Sequence, residues 1–145
     1  MDFIFEPLGA ILLPIMDSKK LALLCRKLAE NKKAEQAVIL DVRQISSVTD
    51  YFVIVSGASE PHLRAIADEI TEKLRDEHHV RARAVDGDGR ASWQVLDYFD
   101  VIVHIMRAEA RERYDLESLW GDAPRLRPTR IRRSVKKNPK PAETG

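Results

Sequence analysis

A chain of 145 residues, 44% hydrophobic and 32% charged, holds one domain plus tails and excludes a repeat array or a low-complexity fold. Its single cysteine, Cys25, excludes an internal disulfide and suits a reducing compartment. The net charge of +1 hides an uneven distribution: residues 17–124 carry 16 Lys/Arg against 20 Asp/Glu, whereas 125–145 carry eight Lys/Arg against one acid. A mildly acidic body suits a basic protein partner, and a basic tail suits a polyanion such as RNA.

Residues 1–16, MDFIFEPLGAILLPIM, are apolar but too short to span a membrane. They lack the basic start and small-residue cleavage site of a signal peptide, and Pro7, Gly9 and Pro14 break helical continuity. They read as an extension outside the main fold, with Met16 a candidate start. Ser18 is placed to cap a helix reaching about Asn31, in which Leu21, Leu24, Cys25, Leu28 and Ala29 form one apolar stripe. Cys25 on that stripe reads as a buried structural thiol, since a reactive one needs an exposed, electropositive setting.

Two apolar runs rich in β-branched residues, Ala37 to Val42 and Tyr51 to Ser56, read as buried strands. Gly57-Ala58-Ser59 turns the chain, Ser59 caps a second helix with Pro61 in its first turn, and Leu63, Ile66, Ala67, Ile70 and Leu74 make the stripe. Arg81 to Val85 is a weaker strand, and Asp86-Gly87-Asp88-Gly89 is a turn. Trp93 to Tyr98 and Val101 to Met106 read as strands, and Glu109 to Trp120 as a helix with Ala110, Tyr114 and Leu119 on one face. After Pro124 the apolar period is lost, so residues 125–145 form a basic tail expected to be disordered when free, behind a domain spanning 17–124. The order α-β-β-α-β-β-β-α predicts an α/β fold, one mixed sheet with flanking helices.

The carboxylates near strand ends and turns are Asp41, Asp50, Asp86, Asp88, Asp97 and Asp100. A metal-dependent nucleotidyltransferase would need two or three of them on one cation pair, with Gly57 and Ser59 at a phosphate. That is the rival reading, but the nearest pair, Asp86 and Asp88, lies in a Gly-rich turn. His62, His78, His79 and His104 share no ligand spacing with each other or with Cys25, so no metal site is expected, and no cofactor. No nucleophile elbow or phosphate loop is present, so catalysis has no positive support. Trp and Tyr make good anchors in binding surfaces because they bury much area with few rotors. Trp93, beside the Gly-rich turn, is expected at a contact surface, and Trp120, ending a helix, in the core.

Several of these segments together resemble the ribosomal silencing factor family, also called Iojap-like. They are Ser46 to Ser59 (SSVTDYFVIVSGAS), Ala65 to Asp68, Trp93 with Asp97, Asp100 to Met106 (DVIVHIM) and Arg113 to Trp120 (RYDLESLW). The resemblance covers roughly residues 17–123 and is carried by order and spacing; the extension and the basic tail lie outside it. One departure is Phe99, where the family usually has glycine.

The resemblance implies a fold similar to a degenerate nucleotidyltransferase core. It implies a non-enzymatic role, with large-subunit ribosomal protein L-fourteen as partner, small-subunit joining blocked sterically, and translation repressed in the cytoplasm; in some organelle relatives the same docking accompanies large-subunit assembly. The expected partner contacts are Trp93, Tyr98, Asp100, His104 and Met106. Candidate RNA contacts are Arg125, Arg127, Arg130, Arg132, Arg133, Lys136 and Lys137. An apolar strand at a sheet edge leaves a homodimer open, and no membrane is expected as partner.

Overall fold

The computed structural model describes residues 16–87 and 92–126. The elements run α1 (Ser18–Asn31), β1 (Glu35–Asp41), β2 (Tyr51–Gly57), α2 (Glu60–His78), β3 (Ala84–Asp86), β4 (Trp93–Asp97), β5 (Val101–Arg107), α3 (Ala108–Tyr114) and α4 (Leu116–Leu119). The fold is α/β with one mixed five-stranded sheet, ordered β1-β2-β5-β4-β3. β2 and β5 pair in parallel; every other pairing is antiparallel. The parallel central pair needs a crossover, and α2 lies within it, as a parallel connection requires.

Alternation along the strands sorts side chains onto two faces. Tyr51, Val53 and Val55 of β2, Leu96 of β4 and Val101, Val103 and Ile105 of β5 join Leu21, Cys25 and Leu28 of α1 and Leu63, Ile66, Ile70 and Leu74 of α2 in one core. Cys25 is fully buried there, and burial pushes its thiol up to about 12. Gly57 ends β2 where the helix passes close: a Cβ there would stand 2.7 Å from Leu63 Cδ2. The opposite face carries a smaller core of Leu40, Val42, Ile54, Met106, Ala110 and Ala123.

Four local features differ from the sequence-based expectation. The first helix is capped by Asp17, whose carboxylate accepts from Lys20 N at 2.8 Å; Ser18 instead donates to Asp50 Oδ2 at 2.9 Å, tying α1 to the start of β2. The weak third strand is only Ala84–Asp86, wholly exposed at the sheet edge. The single helix expected over Glu109 to Trp120 is two short ones, because Asp115 takes a left-handed conformation (φ 46°) that ends α3 and caps α4. Ala110 is buried, but Tyr114 and Leu119 are exposed.

Finally, the domain runs past Pro124. Asp41 N donates to Pro124 O and Leu126 N to Ile39 O, both at 2.8 Å, so 124–126 pair along the outer edge of β1. The expectations for residues 1–15, for Asp88 and for the tail beyond Leu126 lie outside the described residues.

Candidate functional site

The register decides which side chains share the second face. Trp93 stands opposite Met106, Val95 opposite His104, and His104 opposite Ile54. Phe52 is opposite Leu40 and Ile102. Five rings from β4, β5, β2 and the two short helices follow one another across this face. Tyr114 and Trp93 have centroids 5.0 Å apart, Trp93 and His104 5.7 Å, His104 and Phe52 5.3 Å, and Phe52 and Trp120 5.3 Å. Tilted and edge-on pairs at these separations are the favoured aromatic geometries.

The row is fixed at its centre by a hydrogen bond. Trp93 Nε1 donates to His104 Nδ1 at 3.0 Å, which leaves the neutral imidazole carrying its proton on Nε2. Burial lowers the His104 pKa to about 4, so the ring is neutral at physiological pH and its acceptor stays available to the indole. Met106 is fully buried beneath. Trp93, His104, Phe52 and Trp120 are half-buried, and Tyr114 is 53% exposed at one end. A row of rings only partly covered, over a floor of aliphatic side chains, is suited to receive an apolar surface with a polar rim.

Three of the expected contact residues therefore come together: Trp93, His104 and, as floor, Met106. Tyr98 does not reach this face. Counting by twos from Trp93 sends Val95 and Asp97 to the ring face and Gln94, Leu96 and Tyr98 to the other, where Tyr98 is 5% exposed and its burial pushes the phenol pKa up. Its hydroxyl finds no hydrogen-bond partner among the described residues. Asp100 lies in the β4–β5 turn, at the far end of β4 from Trp93, where its carbonyl accepts from Asp50 N and Tyr51 N. Arg125, grouped by composition with the tail, places Nη1 3.7 Å from Glu117 Oε2; the other candidate RNA contacts lie outside the described residues.

Sequence reasoning missed Phe52 as a member of the row, counted Tyr114 among the aromatic anchors without assigning it to the contact, and assigned Trp120 to the core. β2 is buried on both faces over most of its length, so its apolar run gives no alternation from which to choose Phe52. Trp120 lies beyond the kink at Asp115, for which the helical spacing gave no signal.

Three of the strand-end acids are engaged by neighbouring groups: Asp50 accepts from Ser18, and Asp41 and Asp97 are held by arginines. Arg43 holds Asp41 through two side-chain contacts at 2.9 and 2.8 Å, and that hydrogen bonding lowers the Asp41 pKa. Asp97 is also lowered: burial alone would raise it, but the Arg83 hydrogen bond at 2.8 Å and Phe99 N outweigh that. Among the described residues no group of three His, Cys, Asp or Glu side chains is placed to hold a metal ion. Ser59 caps α2 by accepting from His62 N, while His62 bridges Ala58 N and Lys32 O.

The family model described as "Ribosomal silencing factor during starvation" matches residues 15–145. The chain belongs to the ribosomal silencing factor family. The match takes in the basic tail, which the motif resemblance had left outside. The chain is 38% identical over 109 residues to "Ribosomal silencing factor RsfS" of Halalkalibacterium halodurans, spanning 75% of this chain and 92% of that one. It is 33% identical over 98 residues to "Mitochondrial assembly of ribosomal large subunit protein 1" of Mus musculus, spanning 64% of this chain and 42% of that longer protein. A crystal structure of a Chromobacterium violaceum protein, 29% identical, superposes with a TM-score of 0.69 over 73% of this chain and 88% of that one. The role of the chain is that of a ribosomal silencing factor.

Proposed function

We propose that this silencing factor docks on the large ribosomal subunit through ribosomal protein L-fourteen and represses translation by sterically keeping the small subunit away. The observation that carries the reading is the partly covered row Tyr114–Trp93–His104–Phe52–Trp120. It supplies rigid aromatic anchors on a sheet rather than on loops, the construction a protein-binding hot spot favours. The acidic body adds electrostatic steering toward a basic ribosomal protein. The printed name of the mouse relative, which refers to the ribosomal large subunit, supports that subunit as the partner. Steric exclusion needs no reacting groups, and Asp41, Asp50 and Asp97, each taken up by a neighbouring side chain, lend the nucleotidyltransferase alternative no support.

No helix among the described residues is long and apolar enough to cross a membrane, and the bacterial relatives support action in the cytoplasm. The test is sedimentation of purified large subunits with wild type and Trp93→Ala, followed by addition of small subunits. Wild type is expected to co-sediment and to block joining. Trp93→Ala should bind about 2 kcal/mol more weakly, as hot-spot aromatics do. A folded Trp93→Ala that co-sediments like wild type removes Trp93 from the contact.

The tail contributes separately. Residues 127–145 carry seven Lys/Arg and one acid. If most of these cations meet phosphates of ribosomal RNA, truncation after Leu126 should flatten the log–log salt dependence of binding by about 3 to 5 units and leave binding to isolated L-fourteen intact. Equal slopes for the two proteins would make the tail a bystander. Truncation before Pro124 would confuse the test, because it strips the outer edge of β1.

A further inference from the structure

Arg111, 7% exposed, is the only charged residue among the buried ones of the described residues. It leaves α3 and forks onto Glu117 of α4, Nε to Oε1 at 2.9 Å and Nη2 to Oε2 at 3.1 Å, while Nη1 donates to Ser56 Oγ on β2 at 2.9 Å. The guanidinium thus joins three elements. Its hydrogen bonds hold the Glu117 carboxylate below its ordinary pKa, with Arg125 adding charge from the chain along β1.

A buried ion pair is a weak source of stability, because desolvation cancels much of the attraction; what a two-pronged fork provides is fixed geometry. Geometry is what α4 otherwise lacks. It is four residues long, none of them buried, Leu119 faces solvent, and Leu116 and Trp120 only lean on the second core. The left-handed break at Asp115 lies between Arg111 and Glu117, so the helical ladder does not set the angle between α3 and α4. Yet Tyr114 ends α3 and Trp120 follows α4, and these are the two ends of the ring row.

We infer that Arg111 is a positioning residue for the docking face: its fork to Glu117, anchored on Ser56, seats α4 so that Trp120 lies against Phe52. The inference rests on the docking reading for its effect on binding, but not for its effect on Trp120.

The test uses the full chain with Arg111→Met, Arg111→Lys and Glu117→Gln. It reads the Trp120 and Trp93 indole N–H signals by NMR, cooperative unfolding, and co-sedimentation with large subunits. With the fork gone, the Trp120 signal should shift or broaden while Trp93, held by His104, keeps its position. Affinity should fall roughly tenfold or more, the scale of a displaced aromatic anchor. Arg111→Lys keeps the charge but not the fork and should fail to restore either readout. An unmoved Trp120 signal in folded Arg111→Met overturns the inference, as does a moved signal with wild-type affinity. Should Arg111→Met not fold, Glu117→Gln, whose partner stays in place, decides by the same readouts. If Trp93→Ala binds like wild type, the docking reading falls, and the Trp120 signal alone still decides whether Arg111 positions it.

Discussion

On the side covered by α1 and α2, Val53, Val55, Val101, Val103 and Ile105 meet helix side chains so completely that none has measurable exposure. On the other side Ile54, Ser56 and Met106 of the same strands are buried, but Phe52, Ile102 and His104 are only half-buried, with two short helices covering part of the sheet. The first face is aliphatic, where volume and close packing decide stability. The second is aromatic and unfinished, and its rings are held by oriented contacts: a Trp–His hydrogen bond and a buried Arg–Glu fork. One face is built to be closed by the chain itself; the other keeps anchoring area for something else.

The largest effect should come from breaking the closed face. Ile70 is fully buried on α2, and Ile70→Ala removes packed atoms that the surrounding helices cannot replace. A loss of about 3 kcal/mol is expected in urea unfolding, with large-subunit binding of the folded fraction unchanged. Ring-face substitutions should show the reverse balance. An Ile70→Ala protein that is fully folded yet fails to bind would erase the distinction.

Acid should act on the open face next. His104 has its pKa lowered to about 4 in the fold, by burial, against about 6.5 for a free histidine. The unfolded chain therefore binds the extra proton first. The stability that neutral His104 allows is complete above about pH 6.5 and is lost as pH falls toward 4, up to about 3 kcal/mol in all. The lowered carboxylates Asp41, Asp97 and Glu117 lose stability in the same direction as acid is added, but mainly below about pH 4.5, where their unfolded forms begin to take up protons, so most of this window belongs to His104. His104→Gln should flatten stability between pH 6.5 and 4 and, since protonation of Nδ1 would also break the Trp93 bond, remove an acid-induced shift in Trp93 fluorescence. Parallel pH curves for wild type and His104→Gln would take His104 out of that role.

How much of this was legible in the sequence follows the same division. The helix stripes of α1 and α2 and the β-branched runs of β2 and β5 announced the closed face, because burial on a helix imposes a period that composition displays. Parity along a single strand was also available: Trp93 and Tyr98 are five apart, so a regular strand sends them to opposite faces. What the chain did not display was the ring row as a whole. Phe52 sits in a run buried on both sides, and Trp120 is delivered by a left-handed Asp115 that any helical reading of Glu109 to Trp120 would pass over. The Arg111–Glu117 fork spans that break at a separation belonging to no helical pattern.

The smallest effect separates the two ends of the sheet. Phe99 sits in the β4–β5 turn with φ of 71°, a left-handed conformation that glycine adopts without strain. Its ring is exposed and lies under Arg83, whose guanidinium carbon is 4.0 Å from the centroid while the same side chain pairs with Asp97. Holding a non-glycine residue there costs about 1 kcal/mol, and an exposed cation–π contact returns about 0.5–1. Phe99→Gly relieves the first, forfeits the second and adds freedom to the unfolded chain. The terms nearly cancel, so the net change in urea unfolding should stay within about 1 kcal/mol. The Arg83–Asp97 pair and the Asp97 hydrogen bond to the backbone at 99 need no aromatic ring and should survive. Because this turn lies at the opposite end of β4 from Trp93, co-sedimentation with large subunits should not change. A tenfold loss would instead bring the turn, and Asp100 with it, into the contact, and the docking face would then extend over the whole length of β4 rather than end at the rings.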